Sequence, residues 1–187
     1  MVLNKVIAQK ELKIFGGQPN VNRFWNDSES ISIDILKCDN TPQQGIQSCA
    51  TIGLNAIDIG IVNGGQKIRI EVLGAIATTV EQYSNIIASV AFEIMNTEKC
   101  YPGYIARNII EQYVEETEMK HILLTDPFLW DDAKSFQHDN ILIAWLMAVP
   151  ISETELLYAN NYGVGALEEL FDEKDIDIFD LYREPVV

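Results

Sequence analysis

The sequence predicts a single domain over residues 1–187 that combines α-helices with antiparallel β-strands, the α+β class. Three observations predict it. Some segments alternate apolar and polar residues, as half-buried strands do, and another carries the apolar stripe of an amphipathic helix. The chain also has no repeat, no low-complexity tract and no Pro/Gly/Ser linker that would divide it. A compact domain of this length buries roughly 70% of its unfolded surface, so disulfides are unnecessary.

The first half of the chain predicts a helix followed by strands. Apolar positions over residues 3–15 partly fit helical spacing, and two glycines end the pattern. Residues 30–38 and 67–73 alternate with the period of a strand, and we expect them to form antiparallel sheet, with Glu71 on the side away from the core. The run Asn63-Gly64-Gly65 predicts a hairpin that ends in the second of these strands.

The middle of the chain predicts one strong helix and two buried strands. Residues 79–95 place apolar side chains at i, i+3, i+4 and i+7, which predicts an amphipathic helix. Residues 101–113 are less regular. Residues 121–124 and 141–149 indicate short buried strands, and we expect Pro150 to end the second one.

Two further helices are predicted near the end of the chain. Ser152-Glu153-Thr154-Glu155 has the pattern of a capping box, in which the Ser152 hydroxyl accepts from the third helical amide and Glu155 reaches back. A helix is therefore expected over about residues 153–161. A short helix over residues 166–171 follows a turn that contains Gly163.

Charge is distributed unevenly along the chain. It has 28 Asp and Glu against 13 Lys and Arg, a net charge of −15. Residues 111–187 contain 18 acidic and 4 basic side chains, whereas residues 1–110 contain 10 and 9. Each contact with a nucleic acid phosphate needs a Lys or Arg, so the composition argues against direct nucleic acid binding and favours a basic partner.

The cysteines and the hydropathy of the chain together predict the cellular compartment of the protein. Cys38, Cys49 and Cys100 form no CxxC or Cys/His motif, so we expect buried free thiols in a reducing cytoplasm. The start of the chain has charges where a signal peptide needs an apolar stretch. The longest strongly apolar run, residues 141–151, has 11 residues against the roughly 20 that span a bilayer. The sequence predicts a cytoplasmic protein without a membrane segment.

Motifs of catalysis and cofactor binding are missing from the sequence. It has no GxSxG, HExxH, GxxxxGK[ST] or GxGxxG, and neither His121 nor His138 lies in a nucleophile motif. We therefore expect no enzyme activity, no cofactor, no metal and no small-molecule ligand. The alternative is a hydrolase or a metal-dependent enzyme that uses Asp126, Asp131 and Asp132 with one of the two histidines.

Two acidic clusters are the candidate site. An EF-hand is excluded for the second cluster, because Asp177 stands where its glycine belongs and Arg183 where its glutamate belongs. The carboxylates are either a solvated face or a patch that binds a cationic partner. Trp130 is either the aromatic anchor of that patch or a core residue. The candidate partner-binding residues are Asp126, Trp130, Asp131, Asp132, Glu168, Glu169, Asp172, Glu173 and Asp175.

Several segments together resemble the suppressor of fused (SUFU) domain family, in the order of that family. Residues 141–171, ILIAWLMAVPISETELLYANNYGVGALEELF, resemble its closing pattern of an apolar strand, a Pro-Ile turn, an acidic capping residue and a Leu/Glu helix. CATIGLNAI resembles its Thr-x-Gly-Leu segment, and RIEVLG resembles its Arg-x-Glu-Leu strand. The matching positions are Thr51, Gly53, Leu54, Arg69, Glu71, Pro150, Ile151, Glu155 and Gly163.

The resemblance implies an α+β domain whose mixed sheet is flanked by helices and which binds proteins instead of catalysing a reaction. A small domain with the PFLWDD segment is similar to the immunity proteins that bacteria pair with LXG toxins, whose C-terminal domains are often nucleases. Nuclease domains tend to be basic. The sequence therefore predicts an immunity protein that binds a basic toxin domain stoichiometrically, with a regulatory scaffold for an endogenous protein as the alternative.

Overall fold

The computed structural model describes residues 2–187 and confirms the α+β class. Four α-helices and nine strands occur in these residues. The helices are α1 (Leu3–Phe15), α2 (Tyr83–Thr97), α3 (Glu153–Tyr162) and α4 (Val164–Lys174). The strands are β1 (Pro19–Trp25), β2 (Ser32–Asp39), β3 (Ile46–Ile52), β4 (Val62–Asn63), β5 (Gln66–Ala77), β6 (Ile105–Ala106), β7 (Met119–Thr125), β8 (Phe136–His138) and β9 (Ile141–Ser152).

The strands form one mixed sheet in the order β1-β2-β3-β5-β9-β7-β6, with β4 paired to β5 and β8 paired to β9. The two longest strands, β5 and β9, lie next to each other at its centre and are parallel. Every other pairing is antiparallel. The mixed, flanked sheet implied by the family resemblance is therefore confirmed.

Helices cover both faces of the sheet, and β5 contributes to both cores. On one face Ile70, Val72 and Ile76 pack with the buried stripe of α2. On the opposite face Leu73 belongs to the core that also contains Phe15 of α1 and residues of α3 and α4. A strand with apolar residues on both faces is typical of the buried centre of a sheet.

Two local predictions are confirmed in detail. The Ser152 hydroxyl accepts from the backbone N–H of Glu155 at 3.1 Å, and the Glu155 carboxylate accepts from the Ser152 N–H at 2.9 Å, which is the complete capping box. Gly64 and Gly65 have φ values of 58° and 82° and form the two-residue turn between β4 and β5. Positive φ at both positions is what this hairpin turn requires.

The segments 30–38 and 67–73 contain the strands β2 and β5, which both belong to antiparallel pairs as predicted, but their shared partner is a strand that the sequence did not reveal. Strand β3 lies between them, antiparallel to both, so β2 and β5 run in the same direction. All seven residues of β3 are buried, so this strand shows no alternation of apolar and polar residues.

The prediction that Pro150 ends its strand is wrong, because β9 continues to Ser152. Its pairing with β5 ends at Met147, and beyond that point β9 pairs with β7 alone. The Pro150 carbonyl accepts from Arg183 at 3.1 Å, so its backbone polar groups face away from β7. A proline fits there because no ladder hydrogen bond needs its missing N–H.

Glu71 lies in the core and not on an exposed side. It is fully buried, and its carboxylate is the point where the Thr-x-Gly-Leu and Arg-x-Glu segments meet. It accepts from Thr51 Oγ1 at 2.5 Å, the Gly53 N–H at 2.9 Å, the Leu54 N–H at 3.2 Å, the Asn55 N–H at 3.1 Å and Asn55 Nδ2 at 2.7 Å. Burial raises the pKa of Glu71, and these donors oppose that shift. Both segments therefore have a structural role.

The chain beyond α4 is fixed by a buried ion pair. Arg183 reaches both oxygens of Glu155, at 2.6 Å and 2.9 Å, and the side chains are 7% and 0% exposed. The Val186 N–H donates to the same carboxylate at 3.1 Å. The residue that caps α3 thus also holds the last residues of the chain.

Candidate functional site

A cleft of about 610 Å³ opens between the end of β7 and helix α4. We call it the acidic cleft. Its floor is apolar and consists of Leu123, Leu129, Val149, Phe171, Ile176 and Ile178. Its carboxylates are those of Asp126, Glu168, Asp172 and Asp175. Phe128 also lines the cleft and is 61% exposed.

The sheet and α4 position the two sides of the acidic cleft. Leu123 of β7 and Val149 of β9 are partners in the strand register and form part of the floor. After Thr125 the chain leaves β7 and carries Asp126 and Phe128 outward. The Thr125 hydroxyl donates to Glu168 of α4 at 2.5 Å, so one carboxylate is tied to the end of the strand.

The end of α4 concentrates negative charge where a helix disfavours it. Asp172 and Glu173 lie in its last turn, and Asp175 is the C-cap with a φ of 48°. The C-terminal end of a helix carries partial negative charge, so each carboxylate there destabilises it by about 0.3–1 kcal/mol at low salt. A non-glycine residue at positive φ adds a further cost. Lys174 lies in the same turn and offsets part of this negative charge.

The structure brings together four of the predicted site residues and leaves the others apart. Asp126, Glu168, Asp172 and Asp175 share the acidic cleft, although they come from two distant stretches of sequence. Four predicted carboxylates lie outside its lining. Those are Asp131, Asp132, Glu169 and Glu173, all exposed.

Trp130 is a core residue and not an exposed anchor. It is 6% exposed, and its ring centroid lies 5.2 Å from that of Phe15 in α1. The exposed aromatic side chain in this segment is Phe128, which is not among the residues predicted from the sequence. A proline and a leucine flank Phe128, so nothing local distinguishes it from a core residue.

His121 has a structural role. It is 1% exposed; its Nδ1 accepts from the Asn108 N–H at 2.9 Å and its Nε2 lies 2.9 Å from the Glu153 carboxylate. Within residues 2–187, no three His, Cys, Asp or Glu side chains are placed to hold a metal ion. The hydrolase alternative gains no support from this geometry.

The three cysteines are buried free thiols, as predicted. Burial raises the pKa of Cys49 and of Cys100 to about 12, so neither forms the reactive thiolate at neutral pH. Among the helices of residues 2–187, none combines the length and the apolar composition needed to cross a bilayer.

Comparison with known proteins finds relatives that match most of the chain. The family model of suppressor of fused protein (SUFU) matches residues 29–184. The chain is 44% identical to Immunity protein YqcF of Bacillus subtilis (strain 168) over 186 residues, which cover 98% of this chain and 97% of that protein.

Two solved structures share the fold. A suppressor of fused homologue from Neisseria gonorrhoeae FA 1090 has a TM-score of 0.74 and 19% identity, covering 98% of this chain and 96% of that one. A chain in the Sufu-Fu complex has a TM-score of 0.63 and 13% identity, covering 97% of this chain and 91% of that one. At these identities the likeness concerns the fold alone.

Proposed function

The chain belongs to the suppressor of fused (SUFU) protein family, and from this premise we propose that it is an immunity protein that binds and neutralises one cognate toxin. The observation that carries the proposal is the 44% identity, along nearly the whole of both chains, to a protein named as an immunity protein. The buried histidine and buried thiols fit a protein that acts by binding and not by catalysis.

Charge indicates the chemistry of the toxin. With 18 acidic and 4 basic side chains in residues 111–187, the free protein carries strong self-repulsion that a basic partner would relieve. We propose that this partner is the basic nuclease domain of an LXG-type toxin. Electrostatic steering brings such pairs together at up to about 10⁸–10⁹ M⁻¹s⁻¹ at low salt. Fast capture suits a protein that must reach the toxin before the toxin reaches nucleic acid.

Neutralisation would occur by occlusion in a one-to-one complex. A nuclease binds phosphates with Lys and Arg side chains. A carboxylate-rich surface that covers those side chains blocks the substrate without any turnover. The protein would therefore act stoichiometrically in the cytoplasm.

Co-expression with the product of the neighbouring gene tests the proposal. We expect that product to arrest growth when produced alone, this protein to restore growth, and the two to co-purify as a one-to-one complex. A toxic product that this protein neither binds nor neutralises would contradict the proposal.

A regulatory scaffold for an endogenous protein is the second candidate function. It is favoured by the shared fold with a chain of the Sufu-Fu complex, which is a complex between two proteins. A gene neighbourhood without a toxin, together with recovery of one defined endogenous partner, would select this function instead.

A further inference from the structure

We propose that the acidic cleft is the docking site for a cationic amphipathic segment of the partner, in which an apolar side chain enters the cleft and adjacent Lys or Arg side chains meet its rim. The inference rests on the proposed function and deepens it. It assigns a binding surface to the immunity protein and states the chemistry that this surface recognises.

The floor of the cleft calls for an apolar group. Its volume of about 610 Å³ lies within the roughly 300–1,000 Å³ of ordinary ligand pockets, and most of its lining is apolar. At one side Phe128 leaves 61% of its surface in solvent, although a large apolar side chain gains from burial. A partner side chain that packs on Phe128 in the cleft would remove the exposed apolar surface of this ring from water.

The polar part of the lining selects a cation. Apart from Thr125, whose hydroxyl is already bonded to Glu168, the polar lining residues are all carboxylates, and no Lys or Arg of the described chain lines the cleft. A neutral apolar ligand would bury some of this negative charge without a partner, which is unfavourable. Lys and Arg side chains combine a cation with an apolar stem and so match both parts of the lining.

A bare metal ion does not fit the same residues. The carboxylates lie around an apolar floor, and they do not form a group of three that could hold a metal within residues 2–187. Another hollow, of about 390 Å³ beside the half-exposed Trp25, is lined mainly by amides and hydroxyls with two carboxylates. Of these two hollows, the acidic cleft is therefore the one that combines an apolar floor with a rim of carboxylates.

Two triple variants with equal net charge test the proposal. The rim variant combines Asp126→Asn, Asp172→Asn and Asp175→Asn. The control variant combines Glu115→Gln, Glu116→Gln and Glu118→Gln, three exposed carboxylates of the same acidic half that do not line the cleft. A third variant, Phe128→Ser, removes the exposed aromatic side chain. Circular dichroism and thermal unfolding confirm that each variant is folded.

Binding of the toxin domain encoded by the neighbouring gene is measured at 50 and 300 mM NaCl. We expect the rim variant to associate about tenfold more slowly than the control at low salt, and this difference to shrink at high salt. Phe128→Ser should mainly accelerate dissociation, by about tenfold, because it removes buried apolar contact. Equal association and dissociation rates for the rim and control variants would contradict the proposal that the acidic cleft is the docking site. They would not contradict the immunity function.

A probe that needs no toxin separates the two proposals. The ¹⁵N-labelled protein is titrated with the peptide acetyl-Arg-Phe-Arg-amide. We expect chemical shift changes at Leu123, Phe128 and Asp172 that the rim variant loses and the control variant keeps. Chemical shift changes spread over residues 111–187, or centred on residues 115–118, would contradict the proposal that the acidic cleft is the docking site. If the unmodified protein fails to bind an active toxin, the proposed immunity function is wrong. The titration still tests whether the acidic cleft binds a cationic amphipathic segment.

Discussion

Glu11 of α1 and Glu71 of β5 are fully buried carboxylates on the same face of the sheet. Burial raises the pKa of Glu11 well above its usual value, the charge of Glu71 raises it further, and a hydrogen bond from Trp145 opposes the shift. One oxygen of Glu11 accepts from Trp145 Nε1 at 3.2 Å, and the other has no hydrogen-bond partner within residues 2–187. Glu71, with its five donors, is the better site for the charge, so of the two carboxyl groups Glu11 is the one that holds a proton more tightly.

Replacing Glu11 by Gln should therefore stabilise the protein at pH 8. Because the folded pKa lies above the unfolded one, folding takes up a proton, and stability falls as pH rises from the unfolded value through the folded value. Each unit of this difference corresponds to about 1.4 kcal/mol. Urea unfolding at pH 5 and pH 8 should show that the advantage of Glu11→Gln grows with pH. If Glu11→Gln changed the free energy of unfolding equally at pH 5 and pH 8, the raised pKa of Glu11 would be contradicted.

Gly74 of β5 is required by its contact with α2. A Cβ at this position would collide with the Tyr83 hydroxyl and lie 3.3 Å from Ala148. That hydroxyl is buried, and among the residues that the structure describes it has no hydrogen-bond partner, so it fills space without forming a compensating hydrogen bond.

We expect Gly74→Ala to lower the free energy of unfolding by about 2 kcal/mol, since overpacking a core typically costs 1–3 kcal/mol. Tyr83→Phe should cost less than about 1 kcal/mol and should reduce the effect of Gly74→Ala in the double variant. Additive effects in this double-mutant cycle, measured by urea unfolding, would exclude the hydroxyl as the cause.

At the scale of elements, Arg183 joins the end of the chain to two helices. Its guanidinium binds Glu155 of α3 in the buried ion pair, and it lies 5.3 Å from the ring centroid of Phe171, which belongs to α4 and to the floor of the acidic cleft. Removing one partner of a buried ion pair leaves the other charge uncompensated, which typically costs 3–5 kcal/mol.

Arg183→Ala should therefore destabilise the protein by about 3 kcal/mol and release the last residues of the chain. Arg183→Lys keeps the charge but loses the two-point contact, so its effect should be intermediate. Hydrogen exchange at Val186, whose N–H donates to Glu155, reports the release directly. Unchanged protection at Val186 in Arg183→Ala would show that other contacts hold this segment.

The elements predicted correctly are those with local physical causes. The capping box and the two-residue Gly64-Gly65 turn each depend on a few consecutive residues, and the structure has both. Strand β3 is buried along its whole length and β1 is exposed along most of its length, so neither shows the alternation that indicates a strand. The place of Pro150 within β9 depends on where β5 stops pairing, which is a property of the whole sheet.

At the scale of the whole molecule, the sequence predicted the charge of the candidate site but not its shape. Asp126 and Asp172 are far apart in sequence, and the packing of α4 beside β7 brings both to the acidic cleft. The burial of Trp130 also depends on a residue far away in the sequence, because its ring packs against Phe15 of α1. The net charge of a segment can be counted in the sequence, whereas tertiary packing determines which aromatic side chains are exposed and which are buried.

The uneven charge should make stability depend on salt. Repulsion within residues 111–187 is screened as the Debye length falls from about 30 Å at 0.01 M to about 10 Å at 0.1 M ionic strength. We therefore expect the melting temperature to rise with NaCl over this range. Asp172→Asn combined with Glu173→Gln removes two carboxylates from the last turn of α4, and should stabilise the free protein by about 1 kcal/mol at low salt and less at high salt. If the pair of changes instead destabilised the protein at 0.01 M, these carboxylates would be serving the fold, and their charge would no longer be evidence for a cationic partner.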